Sequence, residues 1–146
     1  MSTVATLLKQ KNSDIWRISP EKSVFDAIKL MDEKGVGALL VVQNNSLVGI
    51  VSERDYARKV ILKGKTSKET RVTEIMTRQV LYVTPDHTIN DCMVLMTGKR
   101  IRHLPVLQED DLVGIISLGD VVEEIIREQK SKIKELENYI SWEENY

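Results

Sequence analysis

The chain has 146 residues, of which 42% are hydrophobic and 29% charged, and this length fits one compact domain or two small ones. Its 21 basic and 22 acidic side chains nearly cancel, so no strong field points to nucleic acid or to an anionic membrane as a partner. No apolar run approaches the roughly 20 residues of a membrane span, and the lone Cys92 cannot support a disulfide framework. We therefore expect a cytoplasmic protein.

A tandem repeat governs the organisation of the chain. When the sequence is displaced by 65 residues, residues 24–55 lie on residues 89–120 without a gap, and 13 of the 32 aligned positions are identical. The stretch Leu-Val-Gly-Ile at 47–50 recurs at 112–115. Duplication of one structural unit is the simplest explanation of this pattern.

Each copy predicts the same order of elements, namely strand, helix, strand, strand and helix. The first helix is predicted to begin at Ser19-Pro20 in the first copy and at Thr84-Pro85 in the second, where a hydroxyl N-cap precedes a proline of the first turn. Gly35 and Gly37 end this helix in the first copy. Its apolar positions recur at helical spacing in both copies: Val24, Ala27, Ile28 and Met31, then Ile89, Cys92, Met93 and Met96.

Two short apolar runs follow in each copy and predict a buried β-hairpin closed by a polar turn. The strands are expected at 38–42 and 47–51 in the first copy, and at 104–107 and 112–116 in the second. A second helix is predicted at 54–62 and from Gly119 onward. The fold class is therefore α+β, with two β-α-β-β-α repeats at 12–63 and 73–128 and a polar linker at 64–72.

The last part of the sequence predicts a long helix from Val121, with an extension at 129–146 beyond the second repeat. Its apolar side chains fall near one stripe between Glu and Lys residues: Val122, Ile126, Ile133, Leu136 and Ile140. A stripe of this length needs a covering surface. We favour a second protomer, and hence a homodimer, over folding back onto the chain's own sheet.

Two seven-residue stretches carry a resemblance to a known family. GIVSERD at 49–55 and GIISLGD at 114–120 both resemble the nucleotide signature of CBS domains, which runs Gly, apolar, any residue, Ser or Thr, two of any kind, then Asp. Ile75-Met76-Thr77 resembles the lead-in that often opens a CBS repeat, and residues 102–106 resemble the first strand of the family. The resemblance covers residues 12–128, and two copies at equal offset make it specific.

The resemblance implies a Bateman module of the stand-alone bacterial type, in which two CBS repeats are related by a pseudo-twofold axis. It also implies clefts between the repeats that bind adenosyl compounds, and a dimer of such modules. AMP is the favoured ligand, with NAD, ADP and ATP as further candidates. The alternatives are a structural dimerisation adaptor with empty clefts and a sensor of S-adenosylmethionine.

We expect the chain to be a regulatory module without catalysis of its own, since no nucleophile pattern surrounds His103. Ligand binding would shift either a dimer equilibrium or the activity of an unidentified effector protein. The two His residues and the one Cys are widely scattered and predict no metal site.

Within the signature, Asp55 and Asp120 are expected to hold the ribose, because one ionised carboxylate can accept hydrogen bonds from two neighbouring hydroxyls. The other signature positions expected to touch the ligand are Ser52 and Ser117, at ribose or phosphate, and Ile50 and Ile115, at the adenine face. The residues alone leave an alternative open, in which Ser and Asp only cap the second helix.

The resemblance also implies that each cleft takes residues from both repeats. The adenine wall of the Asp120 site is expected from Trp16, Val36, Gly37 and Ala38, and the Asp55 site is expected to use Thr77, Leu81, Ile101, Arg102 and His103. Arg102 and His103 can also reach a phosphate near Asp120, whereas only Arg54 offers a charge near Asp55. We therefore expect the Asp120 site to hold the more phosphorylated or more tightly bound ligand.

Overall fold

The computed structural model describes residues 2–11 and 14–144, with side chains described up to residue 143. The chain divides into two compact units: Asp14–Leu81, here called unit I, and Met1–Ser13 together with Tyr82–Tyr146, here called unit II. The first two residues of the predicted repeat at 12–63 and the last two of the predicted extension at 129–146 lie outside the described residues. Unit II therefore combines an N-terminal segment with the second sequence copy.

From its first helix onward, each copy has the predicted order of helix, strand, strand and helix. In chain order the elements are α1 (Val4–Gln10), β1 (Arg17–Ile18), α2 (Val24–Lys34), β2 (Ala38–Gln43), β3 (Ser46–Ser52), α3 (Glu53–Tyr56), a π-helical turn (Ala57–Ile61), α4 (Val72–Ile75), α5 (Ile89–Lys99), β4 (His103–Gln108), β5 (Asp111–Ser117) and α6 (Leu118–Glu144). The four hairpin strands agree with the predicted ranges to within one residue at each end, and the long final helix is confirmed.

Unit I is built on a three-stranded sheet in which β1 runs parallel to β2 and β2 runs antiparallel to β3. The first four residues of the central strand β2 are all buried, as expected for a strand covered on both faces. Val24, Ala27 and Met31 of α2 belong to the same buried cluster as Leu39 and Val41 of β2. The helical periodicity seen in the sequence is therefore the core-facing side of α2.

Unit II is built on the antiparallel hairpin of β4 and β5. Within the described residues, the first strand predicted for this copy is reduced to an isolated bridge between Val83 and Val106. The buried cluster of this unit includes Cys92 of α5 and Ile116 of β5, together with Val4 of α1. Cys92 is thus a core residue, and burial raises the pKa of its thiol to about 11.

The first helix of each copy begins later than predicted, so the starts at Ser19-Pro20 and Thr84-Pro85 are wrong. Ser23 caps α2 and Thr88 caps α5, each by accepting a hydrogen bond from the backbone N–H three residues ahead. The serine and threonine of the predicted starts instead hydrogen-bond to residues two positions ahead, within a turn. A hydroxyl followed by proline therefore marked a turn that leads into each helix.

Left-handed backbone ends the first helix of each unit and closes each hairpin. Gly35 ends α2 with a φ of 65°, as predicted, while Arg100 holds the same conformation at the end of α5 with a φ of 54°. Asn44-Asn45 and Glu109-Asp110 each supply the two positive φ values that a type I′ hairpin turn requires. The turns are thus alike in both copies, although their residues differ.

Each signature glycine lies beneath a segment that comes from elsewhere in its unit. A Cβ on Gly114 would lie 2.6 Å from Leu8 Cδ2 of α1, and a Cβ on Gly49 would lie 2.8 Å from Met76 Sδ, just after α4. The segment that carries α1 thus has the same role in unit II as the segment that carries α4 in unit I. Helix α1 was not predicted from the sequence, because its seven residues are too few to establish a helical period.

The lead-in at 75–77 packs within unit I. Ile50 and Thr77 exchange both backbone hydrogen bonds, over 3.1 and 2.9 Å. Val72 and Ile75 of α4 are buried in the core of unit I. The end of the predicted linker is therefore part of a folded unit.

Candidate functional site

The signature of unit II lies where β5 ends and α6 begins. The Ser117 N–H donates to Asp120 Oδ2 over 2.8 Å, and the Asp120 N–H donates to Ser117 Oγ over 3.1 Å. These reciprocal hydrogen bonds cap α6. Capping is the alternative role of Ser and Asp that the sequence left open. Any ligand role of Asp120 must therefore be compatible with capping.

Lys11 is the residue of this site that sequence reasoning missed. Its Nζ lies 2.6 Å from Asp120 Oδ2 and donates to the Ile115 carbonyl over 2.8 Å, and the side chains of Lys11 and Asp120 are each 22% exposed. The two residues are 109 positions apart, so no local spacing could have paired them. The sequence did offer one signal that the segment before Lys11 packs on the second copy. Its residues Val4, Leu7 and Leu8 resemble Val72, Ile75 and Met76, which lie at and next to the lead-in of residues 75–77.

The electrostatics of the site favour an ionised Asp120 and a neutral His103. Burial raises the pKa of Asp120, but hydrogen bonds from Lys11 and Ser117 outweigh it and leave that pKa below its ordinary value. Burial lowers the pKa of His103, and the charges of Lys11 and Arg102 lower it further against the opposing effect of Asp120. At neutral pH the cations of this site are therefore Lys11 and Arg102.

Arg102 and His103 are held beside the signature by backbone contacts. His103 is the register partner of Ser117 across the hairpin, and the Leu118 N–H donates to the Arg102 carbonyl over 2.8 Å. The Arg102 side chain is exposed and His103 is half-buried. The structure thus brings both predicted phosphate contacts to the end of the hairpin where Asp120 lies.

The signature of unit I repeats the cap with a different lysine. Asp55 Oδ2 accepts from the Ser52 N–H over 2.9 Å and from the Ser52 hydroxyl over 3.1 Å, while Asp55 Oδ1 lies 3.0 Å from Lys59 Nζ. Lys59 also donates to the Ile75 carbonyl over 2.8 Å. It belongs to the π-helical turn, a local irregularity that often occurs at functional sites. Both oxygens of Asp55 therefore already have protein partners.

Further predicted residues surround the signature of unit I. The Glu53 N–H donates to the Gly37 carbonyl over 3.1 Å, and Ala38 is the register partner of Ser52. The Trp16 ring lies beneath the Lys34 ammonium, 4.3 Å from its centroid. These backbone contacts hold the segment that ends α2 against the start of α3.

The predicted site residues therefore form one group in each unit. In unit II the structure brings together Arg102, His103, Ile115, Ser117 and Asp120, and in unit I it brings together Gly37, Ala38, Ile50, Ser52, Asp55 and Thr77. The other predicted residues are Ile101, which packs against the core of unit II, half-buried Trp16 and Val36, and exposed Arg54 and Leu81 of unit I. The predicted sharing of residues between the two repeats stays a prediction.

Among residues 2–11 and 14–144, no three His, Cys, Asp or Glu side chains are grouped in a way that could hold a metal ion. In the same residues, no helix has both the length and the apolar character needed to cross a membrane.

The repeats identify the family of the chain. Residues 9–62 and 72–127 match the CBS domain, which agrees with the doubled signature and the two similar units described above. The chain belongs to the CBS-domain family, and it is a regulatory module of the CBS-pair type.

Known proteins support this assignment at the level of both sequence and structure. The mitochondrial CBS domain-containing protein CBSX3 of Arabidopsis thaliana is 38% identical over 149 residues, which cover 95% of this chain and 72% of that protein. The structure of a protein with CBS domains from Burkholderia ambifaria MC40-6 superposes with a TM-score of 0.85 at 53% identity, over 88% of this chain and 96% of that one. The CBS domain pair of protein MJ0100, in complex with 5′-methylthioadenosine and S-adenosyl-L-methionine, shares the fold with a TM-score of 0.78 at 23% identity, over 88% and 98%.

Proposed function

We propose that the chain is a sensor of adenine nucleotides, with AMP as the favoured ligand and NAD, ADP and ATP as further candidates. The observation that carries the proposal is the set of groups at the start of α6, where the ionised carboxylate of Asp120 contacts Lys11 and the Leu118 N–H donates to the backbone carbonyl of Arg102, a second cation. A carboxylate suits the ribose hydroxyls, and the cations suit a phosphate. The adenosyl ligands of the MJ0100 pair support a nucleoside site in this fold.

Capping of α6 and ribose binding by Asp120 are compatible. Among the described residues, the hydrogen bonds to this carboxylate fall on Oδ2, from Ser117 and Lys11. Oδ1 can therefore accept from a ribose hydroxyl while the cap stays intact. At Asp55 both oxygens already have protein partners, Oδ2 with two from Ser52 and Oδ1 with one from Lys59, so a ribose hydroxyl there has to share Oδ1 with Lys59. This difference supports the prediction that the Asp120 site binds more tightly.

The proposed output is regulatory, without catalysis by the chain itself. A ligand shifts a conformational or assembly equilibrium only by its different affinity for the two states. We propose that the assembly is a homodimer formed through the exposed stripe of α6. Lys130, Lys132 and Glu137 flank this stripe, so a second copy of the helix can bring opposite charges together in either orientation.

Thermal denaturation with and without nucleotide tests the ligand proposal. A ligand present at 100 times its dissociation constant stabilises the folded state by about 2.7 kcal/mol. We expect AMP to raise the melting temperature of the natural chain and of Asp91→Asn, and to lose most of this effect in Asp120→Asn. Asp91 is the matched control because it forms the same kind of cap, with Thr88, at the start of α5. Equal AMP stabilisation of both variants would count against the proposal.

A structural adaptor is the second candidate, and one observation favours it. The capping hydrogen bonds account for the Ser and Asp of both signatures without any ligand. An adaptor would assemble through α6 and melt at the same temperature with or without AMP, NAD or S-adenosylmethionine. A response to S-adenosylmethionine alone would instead identify a sensor of that compound.

A further inference from the structure

Lys11 is held at the signature of unit II by a segment that is firmly anchored. The N–H groups of Val4 and Ala5 donate to the carbonyls of His87 and Pro85 over 2.8 and 2.9 Å. Val4 and Leu7 are buried, and Leu8 lies over Gly114. Lys11 is the C-cap residue of this helix. Its ammonium is therefore delivered to Asp120 by packing, before any ligand arrives.

The ammonium of Lys11 has bonding capacity left for a ligand. A lysine ammonium carries three N–H donors. Within the described part of the chain, Lys11 directs two of them to Asp120 Oδ2 and the Ile115 carbonyl. The third can reach an anionic oxygen that lies next to a ribose bound at Asp120. Phosphate is the group of an adenine nucleotide that satisfies this position.

The local charges differ between the two signatures in a way that singles out Lys11. In unit II Lys11 contacts Asp120 at the N-terminus of the 27-residue helix α6, which itself favours an anion, and Arg102 lies in the segment whose carbonyl accepts from the start of this helix. In unit I the position that corresponds to Leu118 is Glu53. The signature of unit I therefore sets two acidic side chains, Glu53 and Asp55, against the cations Arg54 and Lys59.

We propose that Lys11 determines the specificity of the Asp120 site. Its ammonium donates a hydrogen bond to the phosphate and so favours phosphorylated over unphosphorylated adenosine. This inference rests on the proposed function, because it assumes that Asp120 holds the ribose. In this division of labour, Asp120 contributes to the binding of adenosine and AMP alike. Lys11 contributes to AMP alone.

The test is a calorimetric titration with adenosine and with AMP, in a chain that carries Asp55→Asn so that one site is measured. We expect Lys11→Gln to weaken AMP binding by about tenfold or more, the effect of losing one charge-assisted hydrogen bond, and to leave adenosine affinity within about twofold. Lys11→Arg should keep the preference for AMP. Lys9→Gln is the matched control, since Lys9 is an exposed lysine on the same helix.

The outcomes separate the two proposals. If the parent chain binds both compounds and Lys11→Gln weakens them equally, or weakens neither, the role of Lys11 is refuted while the nucleotide site stands. If the parent chain binds neither compound, the proposed function fails and the role of Lys11 fails with it. Should Lys11→Gln not fold, the ratio of AMP to adenosine affinity in Lys11→Met decides in the same way.

Discussion

The two signature aspartates, Asp55 and Asp120, have a structural role in addition to their proposed role in ligand binding. Each caps a helix and contacts a lysine, yet the lysines come from different parts of the chain, one at the end of α1 and one in the π-helical turn. The capping bonds follow from Ser and Asp at a spacing of three, and so could be read from the sequence. The lysines could not, because Lys11 reaches Asp120 only through the packing of α1.

His103 offers a residue-scale test of the electrostatics at this site. Its folded-state pKa lies below 6.5, so the folded chain binds this proton less readily than the unfolded chain does. The stability that depends on His103 is therefore complete above pH 6.5 and is lost as the pH falls below that value. An NMR titration of the imidazole should show the lowered pKa, and Lys11→Gln should move it upward. A pKa that is the same in both proteins would contradict the influence of Lys11.

At the scale of elements, α1 is held on unit II by a glycine that leaves room for it. Gly114→Ala would place a methyl group 2.6 Å from Leu8 Cδ2, the movable end of that side chain, so we expect a loss of about 1 kcal/mol in the free energy of unfolding, at the low end for overpacking, measured by urea denaturation. Leu8→Ala in the same chain should restore part of the loss, because it removes the clash.

Gly98→Ala is the control for this experiment. Gly98 lies within α5, and a Cβ there meets no atom within 4 Å. We expect it to stabilise the chain by about 0.5–1 kcal/mol, since alanine favours helix more than glycine does. A Gly114→Ala protein as stable as the natural chain would show that α1 is not seated against this strand.

Elements with a strong local pattern were predictable, whereas those defined by distant packing were not. The hairpin strands are continuous apolar runs between polar turns, and the sequence placed them within one residue at each end. Helices α1 and α4 have seven and four residues, too few to show a helical period. The starts of α2 and α5 were misplaced because a hydroxyl next to proline is also a turn signal.

At the scale of the whole molecule, the stripe of α6 defines an assembly surface. Ile126, Ile133, Leu136 and Ile140 are each about half exposed, and they recur at the spacing of a coiled coil. We expect Ile133→Lys to convert the proposed dimer to monomers in sedimentation equilibrium, because it places a charge in the middle of the stripe. Ser131→Lys should leave the dimer intact, since residue 131 lies on another face of the helix. A natural chain that stays monomeric at high concentration would rule out this surface.

Unit II is assembled from two separate stretches of the chain, and this limits the order in which the chain can fold during synthesis. Unit I is continuous, so all of its segments are available once Leu81 has left the ribosome. Helix α1 is made before unit I, yet its partners Gly114 and Asp120 are made about a hundred residues after it. A contact of such long sequence separation forms slowly and late. The growing chain must therefore keep Val4, Leu7 and Leu8 uncovered while unit I folds, and the contact between Lys11 and Asp120 becomes possible only after the second copy has been synthesised.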